Sequence, residues 1–102
     1  MHPSPTWSVY ILRCSDGTLY TGITNCLARR LTLHAAGRGA KYLRGRLPVR
    51  LVYVESGHNR PSASQREAQI KRLRRAQKNR LIADFSVHAA GNADYTAPPN
   101  AS

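Results

Sequence analysis

Residues 8–23 have the sequence SVYILRCSDGTLYTGI, and this stretch decides the fold. Its two runs at 8–13 and 18–23 are rich in Val, Ile, Leu, Thr and Tyr, which favour β-strands. Between the runs lie Ser15, Asp16 and Gly17, residue types that favour a tight turn. The sequence therefore predicts a β-hairpin with one tyrosine on each strand.

The length of the turn decides where the two tyrosines lie. A two-residue turn at Asp16 and Gly17 places Tyr10 and Tyr20 on opposite faces of the sheet, because side chains alternate along a strand. A three-residue loop that begins at Ser15, with Gly17 in the left-handed conformation, places both tyrosines on one face. The sequence leaves both registers open.

A helix is expected to follow the hairpin. Asn25 is a suitable N-cap, the helix extends to about Ala36, and Gly37 supplies its stop. The stripe expected to face the core consists of Leu27, Ala28, Leu31 and Ala35. Arg30 and His34 fall beside this stripe, one turn apart, so their side chains are neighbours on the helix surface.

The remaining elements complete an α+β pattern. Residues 49–55 alternate loosely between apolar and polar side chains and predict a third strand, which a turn at 56–61 follows. A second helix is expected from Ser62 or Ser64 to about Ile82. The order β-β-α-β-α predicts an α+β fold with a small three-stranded antiparallel sheet flanked by helices.

The chain of 102 residues has room for one modest core. We expect that core in a domain at residues 7–83, after a flexible N-terminus at 1–6. Residues 84–102 carry no basic side chain and are dominated by small and polar types, so we expect a mobile tail there. Cys14 and Cys26 form no C-x-x-C pair and no apolar leader is present, which predicts a cytoplasmic protein with reduced thiols.

The charge of the chain predicts a polyanionic partner. Sixteen Lys and Arg residues stand against five acidic ones, and the formal net charge is +11. All of these cations lie between Arg13 and Arg80, within the expected domain. No apolar run approaches the roughly 18 residues that a membrane-spanning helix needs. Nucleic acid is therefore the expected partner, and a membrane is not.

Two segments supply the expected contacts to phosphate groups. The loop at 37–48 is basic and contains glycines, and the second helix has a strongly positive outer face. The predicted nucleic-acid-binding residues are Arg38, Lys41, Tyr42, Arg44 and Arg46 in the loop, and Lys71, Arg74, Arg75 and Lys78 on the helix. Tyr42 is either a residue that stacks on a base or a solvated loop tyrosine.

Hydrolysis of a phosphodiester needs a deprotonated water and charge stabilisation on the phosphate, and a divalent ion held by a carboxylate commonly supplies part of both. Glu55 and Glu67 are the two acidic residues well placed for such a ligand. Glu67 lies three residues before Ile70, on the inward side of the second helix. A structural alternative is a capping box from Ser64 to Glu67, with an ion pair from Glu67 to Lys71.

The combination of motifs resembles the GIY-YIG nuclease family over about residues 7–82. The segments that carry the resemblance are Val9-Tyr10-Ile11-Leu12, Leu19-Tyr20-Thr21-Gly22-Ile23-Thr24, the Arg-Arg pair with His34 one turn later, the loop Gly-Ala-Lys-Tyr-Leu-Arg at 39–44, and Arg66-Glu67. Ser8, Val9 and Thr21 depart from the family's signature, whereas both tyrosines and Gly22 match it. The chain is most similar to small stand-alone bacterial members that consist of the nuclease domain alone.

This resemblance implies a role for each matching residue. Tyr10 and Tyr20 would lie near the reacting phosphate, and one of them, which we leave open, would be the general base for the attacking water. Arg30 would hold and polarise the phosphate, and His34 would complete the site. Glu67 would be the ligand of one divalent cation, Mg²⁺ or Mn²⁺.

The function that the resemblance implies is a metal-dependent endonuclease, with DNA as the preferred substrate and a role in DNA repair or processing. Because no recognition helix or zinc finger is evident, we expect selection by nucleic-acid structure, weak specificity, or a protein partner that supplies specificity. The alternative is a basic nucleic-acid-binding module that keeps the nuclease fold without its activity. Arg30 and His34 also have an ordinary interpretation as helix residues that pack or face solvent.

Overall fold

The computed structural model describes residues 6–90, of which 88–90 are described by their backbone alone. The elements are β1 Trp7–Arg13, β2 Leu19–Thr24, α1 Leu27–Ala35, a 3₁₀ turn Lys41–Leu43, β3 Arg50–His58, α2 Arg60–Arg72 and α3 Arg75–Ala90. The strands form a three-stranded sheet in the order β2-β1-β3, and both pairings are antiparallel. The predicted α+β fold is therefore confirmed.

The hairpin adopts the register of the three-residue loop. Leu12 pairs with Tyr20 across β1 and β2, as the three-residue loop requires. Gly17 has φ 84, in the left-handed region, and its amide donates to the carbonyl of Cys14 at 2.9 Å. Tyr10 and Tyr20 therefore share one face of the sheet.

Each face of the sheet has its own core. Helices α2 and α3 cover one face, where the buried residues are Val9, Ile11, Tyr53, Ala63, Ile70 and Ile82. The buried residues on the other face are Tyr10, Leu12, Cys14, Leu43 and Val49, and side chains of α1 and of the loop at 37–48 pack against them. Because strand side chains alternate, Tyr10 projects toward α1 while its neighbours in sequence project toward α2 and α3.

The N-cap predicted for α1 is wrong, whereas the predicted stop is confirmed. Cys26, not Asn25, occupies the cap position, and it makes no side-chain capping bond. The Cys26 amide donates instead to the hydroxyl of Thr24 at 3.0 Å. At the other end Gly37 has φ 74, and its amide donates to the carbonyl of His34 at 3.0 Å, which closes the helix.

The residues of α1 that pack against the sheet are not all those of the predicted apolar stripe. Ala28 and Ala35 are exposed. Leu27 and Leu31 are half-buried against the sheet, and His34 is the one buried residue of the helix. The helix is thus rotated so that a histidine takes the central position of its packed face.

β3 and α2 join more tightly than predicted, because no turn occupies the whole of residues 56–61. The strand extends to His58, and α2 begins directly after Asn59. The Asn59 carboxamide accepts from the Ser62 amide at 2.9 Å, and the Ser62 hydroxyl accepts from the Asn59 amide at 3.2 Å. This capping box replaces the predicted one between Ser64 and Glu67, both of which lie inside α2.

The predicted second helix is two helices. Leu73 has φ −67 and ψ 149, an extended conformation that ends α2. The Gln77 side chain then accepts from the Arg74 amide at 2.9 Å, which satisfies a free donor at the start of α3. The basic segment therefore forms a corner between two helices instead of one continuous face.

The boundary expected at residue 84 falls inside α3, which extends to Ala90. Phe85 packs against the core, with its ring 5.6 Å from that of Tyr53 at an interplanar angle of 65°. Residues 1–5 and 91–102, where flexible ends were expected, lie outside the described residues. No helix within residues 6–90 is long and apolar enough to cross a membrane.

Candidate active site

A hydrogen bond between Tyr10 and His34 joins the central strand to α1. Both side chains are 1% exposed, and the Tyr10 hydroxyl lies 2.9 Å from Nε2 of His34. Nδ1 of the same ring accepts from the backbone amide of Ala40 at 3.3 Å. Both ring nitrogens of a buried histidine are therefore satisfied, as burial of polar atoms requires.

Gly22 leaves the space that Tyr10 occupies. It lies opposite Tyr10 on β2, one of the two edge strands, and a Cβ atom there would come within 2.6 Å of the Tyr10 hydroxyl and 3.1 Å of the Tyr20 ring. The Tyr20 ring centroid lies 6.4 Å from that of Tyr10 and 5.8 Å from that of His34. The rings of Tyr10, Tyr20 and His34 therefore form one cluster beside β2.

The loop at 37–48 extends this cluster. Tyr42 stacks on Tyr20 with ring centroids 6.0 Å apart and an interplanar angle of 23°. The Arg46 guanidinium carbon lies 4.0 Å from the centre of the Tyr42 ring, and Arg46 Nε pairs with Oδ2 of Asp16 at 3.1 Å. Tyr42 is therefore part of the wall of the site, and Arg46 ties the loop to the turn of the hairpin.

Arg30 and Glu67 act on the same hydroxyl through their charges. Burial raises the pKa of Tyr10 well above its ordinary value, Tyr20 and Glu67 raise it further, and Arg30 opposes them. Burial lowers the pKa of His34, and the charge of Arg30 lowers it further. Burial therefore favours the protonated form of Tyr10 and the neutral form of His34.

Glu67 lies on the packed side of α2 yet reaches solvent. Ala63 and Ile70, one turn before it and one turn after it on the same side, are 0% exposed. The Glu67 side chain is 24% exposed, and its Oε2 pairs with Nζ of Lys71 at 3.2 Å. The predicted Glu67–Lys71 pair is thus present, and the carboxylate stands where the core meets water.

Glu55, the other candidate for a metal ligand, is engaged in hydrogen bonds with other side chains. Its oxygens accept from the Tyr53 hydroxyl at 2.7 Å and from Arg66 Nε at 3.1 Å, and one of them lies 2.7 Å from Nε2 of His58. Burial raises the pKa of Glu55, but these hydrogen bonds and the charge of Arg66 outweigh it, and the net pKa is lowered. Glu55 therefore belongs to a network that holds the end of β3 to α2.

Glu67 remains as the candidate metal ligand among the described residues, since Glu55 is engaged by other side chains. No cluster of three or more His, Cys, Asp or Glu occurs among them, so a site made wholly of protein ligands is absent from this part of the chain. Mg²⁺ commonly keeps several waters and binds through one or two carboxylates together with substrate phosphates. Glu67 is partly exposed and has a carboxylate of this type.

Some of the predicted nucleic-acid-binding residues bind other parts of the protein, and others are exposed. Arg46 is engaged as described, and Arg75 donates through Nη2 to the Gly17 carbonyl at 3.0 Å, so these two arginines hold the loop and α3 to the hairpin turn. Lys71 pairs with Glu67. The side chains of Arg38, Lys41 and Arg44 in the loop and of Arg74 at the helix corner are exposed, and Lys78 is half-buried.

Sequence reasoning missed Gly39. A Cβ atom at this position would overlap Nδ1 of His34 and come within 2.7 Å of Cε1 in the same ring. A glycine in a loop that also contains Gly37 and Gly45 does not reveal by its type alone that it leaves the space for the His34 ring. The contact depends on how the loop folds back over α1.

Comparison with known proteins finds one matching family model and several relatives of similar length. A model of the GIY-YIG catalytic domain matches residues 6–80. The UPF0213 protein NP_0776A of Natronomonas pharaonis is 55% identical over 76 residues, which cover 74% of this chain and 89% of that protein. The UPF0213 protein DP2720 of Desulfotalea psychrophila is 52% identical over 79 residues, which cover 76% and 72%.

Two solution NMR structures share the fold. The UPF0213 protein BH0048 from Bacillus halodurans has 44% identity and a TM-score of 0.50, and the match covers 76% of this chain and 82% of that one. The protein EF2693 from E. faecalis has 37% identity and a TM-score of 0.56, with 85% and 93% covered. These similarities agree with the sheet and helices described above.

Proposed function

The chain belongs to the family of GIY-YIG catalytic domains, and we propose that it is a divalent-metal-dependent endonuclease that hydrolyses phosphodiester bonds in nucleic acid, with DNA as the preferred substrate. The observation that carries this proposal is the grouping along β2: Tyr10, Tyr20 and His34 are in ring contact, and Arg30 and Glu67 act electrostatically on the Tyr10 hydroxyl. This grouping supports roles for these residues as a general base, a phosphate-binding group and a metal ligand.

In this proposal Glu67 would hold one divalent ion, Mg²⁺ or Mn²⁺. The ion supplies charge stabilisation on the phosphate and a lower pKa for water. Arg30 binds the scissile phosphate, because a guanidinium offers two parallel donors to its oxygens. Tyr10 or Tyr20 receives the proton of the attacking water. For Tyr10 this role requires a nearby positive charge to lower the pKa that burial raises.

Three exposed basic residues of the loop at 37–48 support a proposal for how the substrate is held. Arg38, Lys41 and Arg44 are exposed and form no ion pair with any residue between 6 and 90. Contacts between such cations and phosphate groups position a nucleic acid but carry no information about its base sequence. We therefore propose structure-selective or weakly specific cleavage in DNA repair or processing, with specificity supplied by a protein partner where it is needed. Cys14 and Cys26 are free thiols, which is consistent with action in the cytoplasm.

The experiment that tests this function is a cleavage assay with branched, nicked, duplex and single-stranded DNA, with Mn²⁺ and with a chelator. We expect cleavage in Mn²⁺ alone. Arg30→Ala should cut at least about 100-fold more slowly, in the range seen when one stabilising donor is removed from an active site. Arg29→Ala removes the same charge from the preceding residue, which is exposed on the same helix, and should retain activity.

Two results would contradict the proposal. One is salt-sensitive binding with no cleavage on any substrate, which is the behaviour of a non-catalytic binding module. The other is equal cleavage by wild type, Arg30→Ala and Arg29→Ala, which would remove Arg30 from the reaction.

A further inference from the structure

The ring of His34 has a fixed partner on each side. Nδ1 lies 3.3 Å from the backbone nitrogen of Ala40, and Nε2 lies 2.9 Å from the Tyr10 hydroxyl. A backbone amide can only donate, so Nδ1 must accept and cannot carry a proton. In a neutral imidazole the one proton then resides on the other nitrogen.

From these contacts we infer that the Ala40 amide and Gly39 hold His34 in the tautomer protonated at Nε2, so that His34 is a permanent hydrogen-bond donor to Tyr10. The Tyr10 oxygen accepts this bond, and its own proton is free to point elsewhere. Ala40 and Gly39 are positioning residues for this arrangement, because neither touches a reacting atom.

Gly39 contributes through the space it leaves. A Cβ atom there would overlap Nδ1 and approach Cγ of His34 to 2.9 Å, so any side chain would displace the ring from both of its partners. Gly45 lies in the same loop, has no positive φ, and has no atom within 4 Å of a Cβ built on it. It therefore provides a matched control.

The tautomer decides what His34 contributes to the proposed reaction, on which this part of the inference rests. A nitrogen that already carries a proton cannot take one from Tyr10. The Nε2–H group can instead stabilise negative charge on the Tyr10 oxygen, since hydrogen bonds to charged groups are stronger than neutral ones. Any proton that leaves Tyr10 must therefore pass to water or to the substrate.

The test is long-range ¹H–¹⁵N NMR of the protein labelled at histidine, without metal or DNA. The His34 signals are assigned by their loss in His34→Gln. We expect the shift pattern of a single tautomer, with Nδ1 unprotonated and Nε2 protonated. A protonated Nδ1, an average of the two tautomers, or protons on both nitrogens at neutral pH would overturn the inference.

Two glycine variants test the positioning role in the same spectrum. Gly39→Ala should change the His34 pattern to an average of tautomers, whereas Gly45→Ala should leave it as in wild type. If Gly39→Ala keeps the wild-type pattern, Gly39 has no positioning role. The wild-type spectrum remains decisive for the tautomer even if Gly39→Ala does not fold.

Cleavage rates separate a donor from a proton acceptor. Glutamine retains an N–H donor at the end of its side chain, so His34→Gln should stay within about 10-fold of wild type, while His34→Ala should lose about 10-fold to 100-fold. Equal losses in both variants would contradict the donor role. A wild-type protein that shows the expected tautomer but cuts no DNA would instead contradict the proposed function.

Discussion

The hydroxyl of Tyr10 lies 2.9 Å from Nε2 of His34, and this bond connects the central strand of the sheet to the packed face of α1. Tyr10 also lies against Gly22 on β2. One buried side chain therefore couples the fold of the sheet to the geometry of the candidate site.

Gly22→Ala should lower both stability and activity. The added Cβ atom would come within 2.8 Å of Cζ and 2.6 Å of the hydroxyl of Tyr10. Overpacking of this kind typically costs about 1 to 3 kcal/mol. Denaturant unfolding and cleavage of a branched DNA measure the two effects. Gly45→Ala, which meets open space, should change neither by a measurable amount, and equal behaviour of the two variants would refute the packing argument.

Removing the two tyrosine hydroxyls should have different effects on stability. Tyr10→Phe leaves the buried Nε2 of His34 without its partner, at a cost of about 1 to 3 kcal/mol in the free energy of unfolding. Tyr20 is half-buried and its hydroxyl has no hydrogen bond among the described residues, so Tyr20→Phe should change stability by less than about 0.5 kcal/mol. A larger loss for Tyr20→Phe than for Tyr10→Phe would contradict this geometry.

Stability should fall as His34 is forced to protonate. Burial and Arg30 lower the pKa of His34 in the folded protein, so the unfolded chain takes up this proton first as the pH falls. The folded state is therefore favoured most above the ordinary histidine pKa of about 6.5 and loses stability below it. Urea unfolding between about pH 7 and pH 5 should show this loss, and His34→Gln should reduce it. An unchanged pH dependence in His34→Gln would contradict the prediction.

The exposed cations of the loop should determine how binding depends on salt. Each phosphate contact contributes about 0.9 to the slope of log affinity against log salt on B-DNA. Lys41→Gln combined with Arg44→Gln should therefore reduce the slope by about 2. Arg50→Gln combined with Arg60→Gln removes the same charge on or just beyond β3, the strand at the opposite edge from the site, and should leave the slope unchanged. Equal reductions would mean that net charge alone governs binding.

Much of the fold could be predicted because its local patterns agree with its tertiary structure. The two strand-forming runs and the turn residues between them predict the hairpin, and Gly37 ends α1 as expected. The turn length could not be chosen, because Asp16 and Gly17 suit both the two-residue and the three-residue loop. The choice appears only when Leu12 is seen opposite Tyr20.

The errors arose where tertiary contacts override local preference. His34 is buried on α1 because Tyr10 and Ala40 satisfy its ring, and a pattern of apolar residues cannot show this. The helix break at Leu73 carries neither glycine nor proline, so no breaker residue marks it. Gly39 is likewise recognisable only once the loop is seen folded over His34.

The most direct test of metal-dependent cleavage by this protein is the rate at which wild type and Glu67→Gln cleave the same branched DNA in Mg²⁺. The substitution removes the charge of the one carboxylate proposed to hold the ion and changes little in shape. We expect that wild type cuts, that a chelator stops it, and that Glu67→Gln binds the DNA but cuts it at least about 100-fold more slowly. Cleavage by Glu67→Gln at the wild-type rate, or no cleavage by wild type in Mg²⁺ or Mn²⁺, would contradict this expectation.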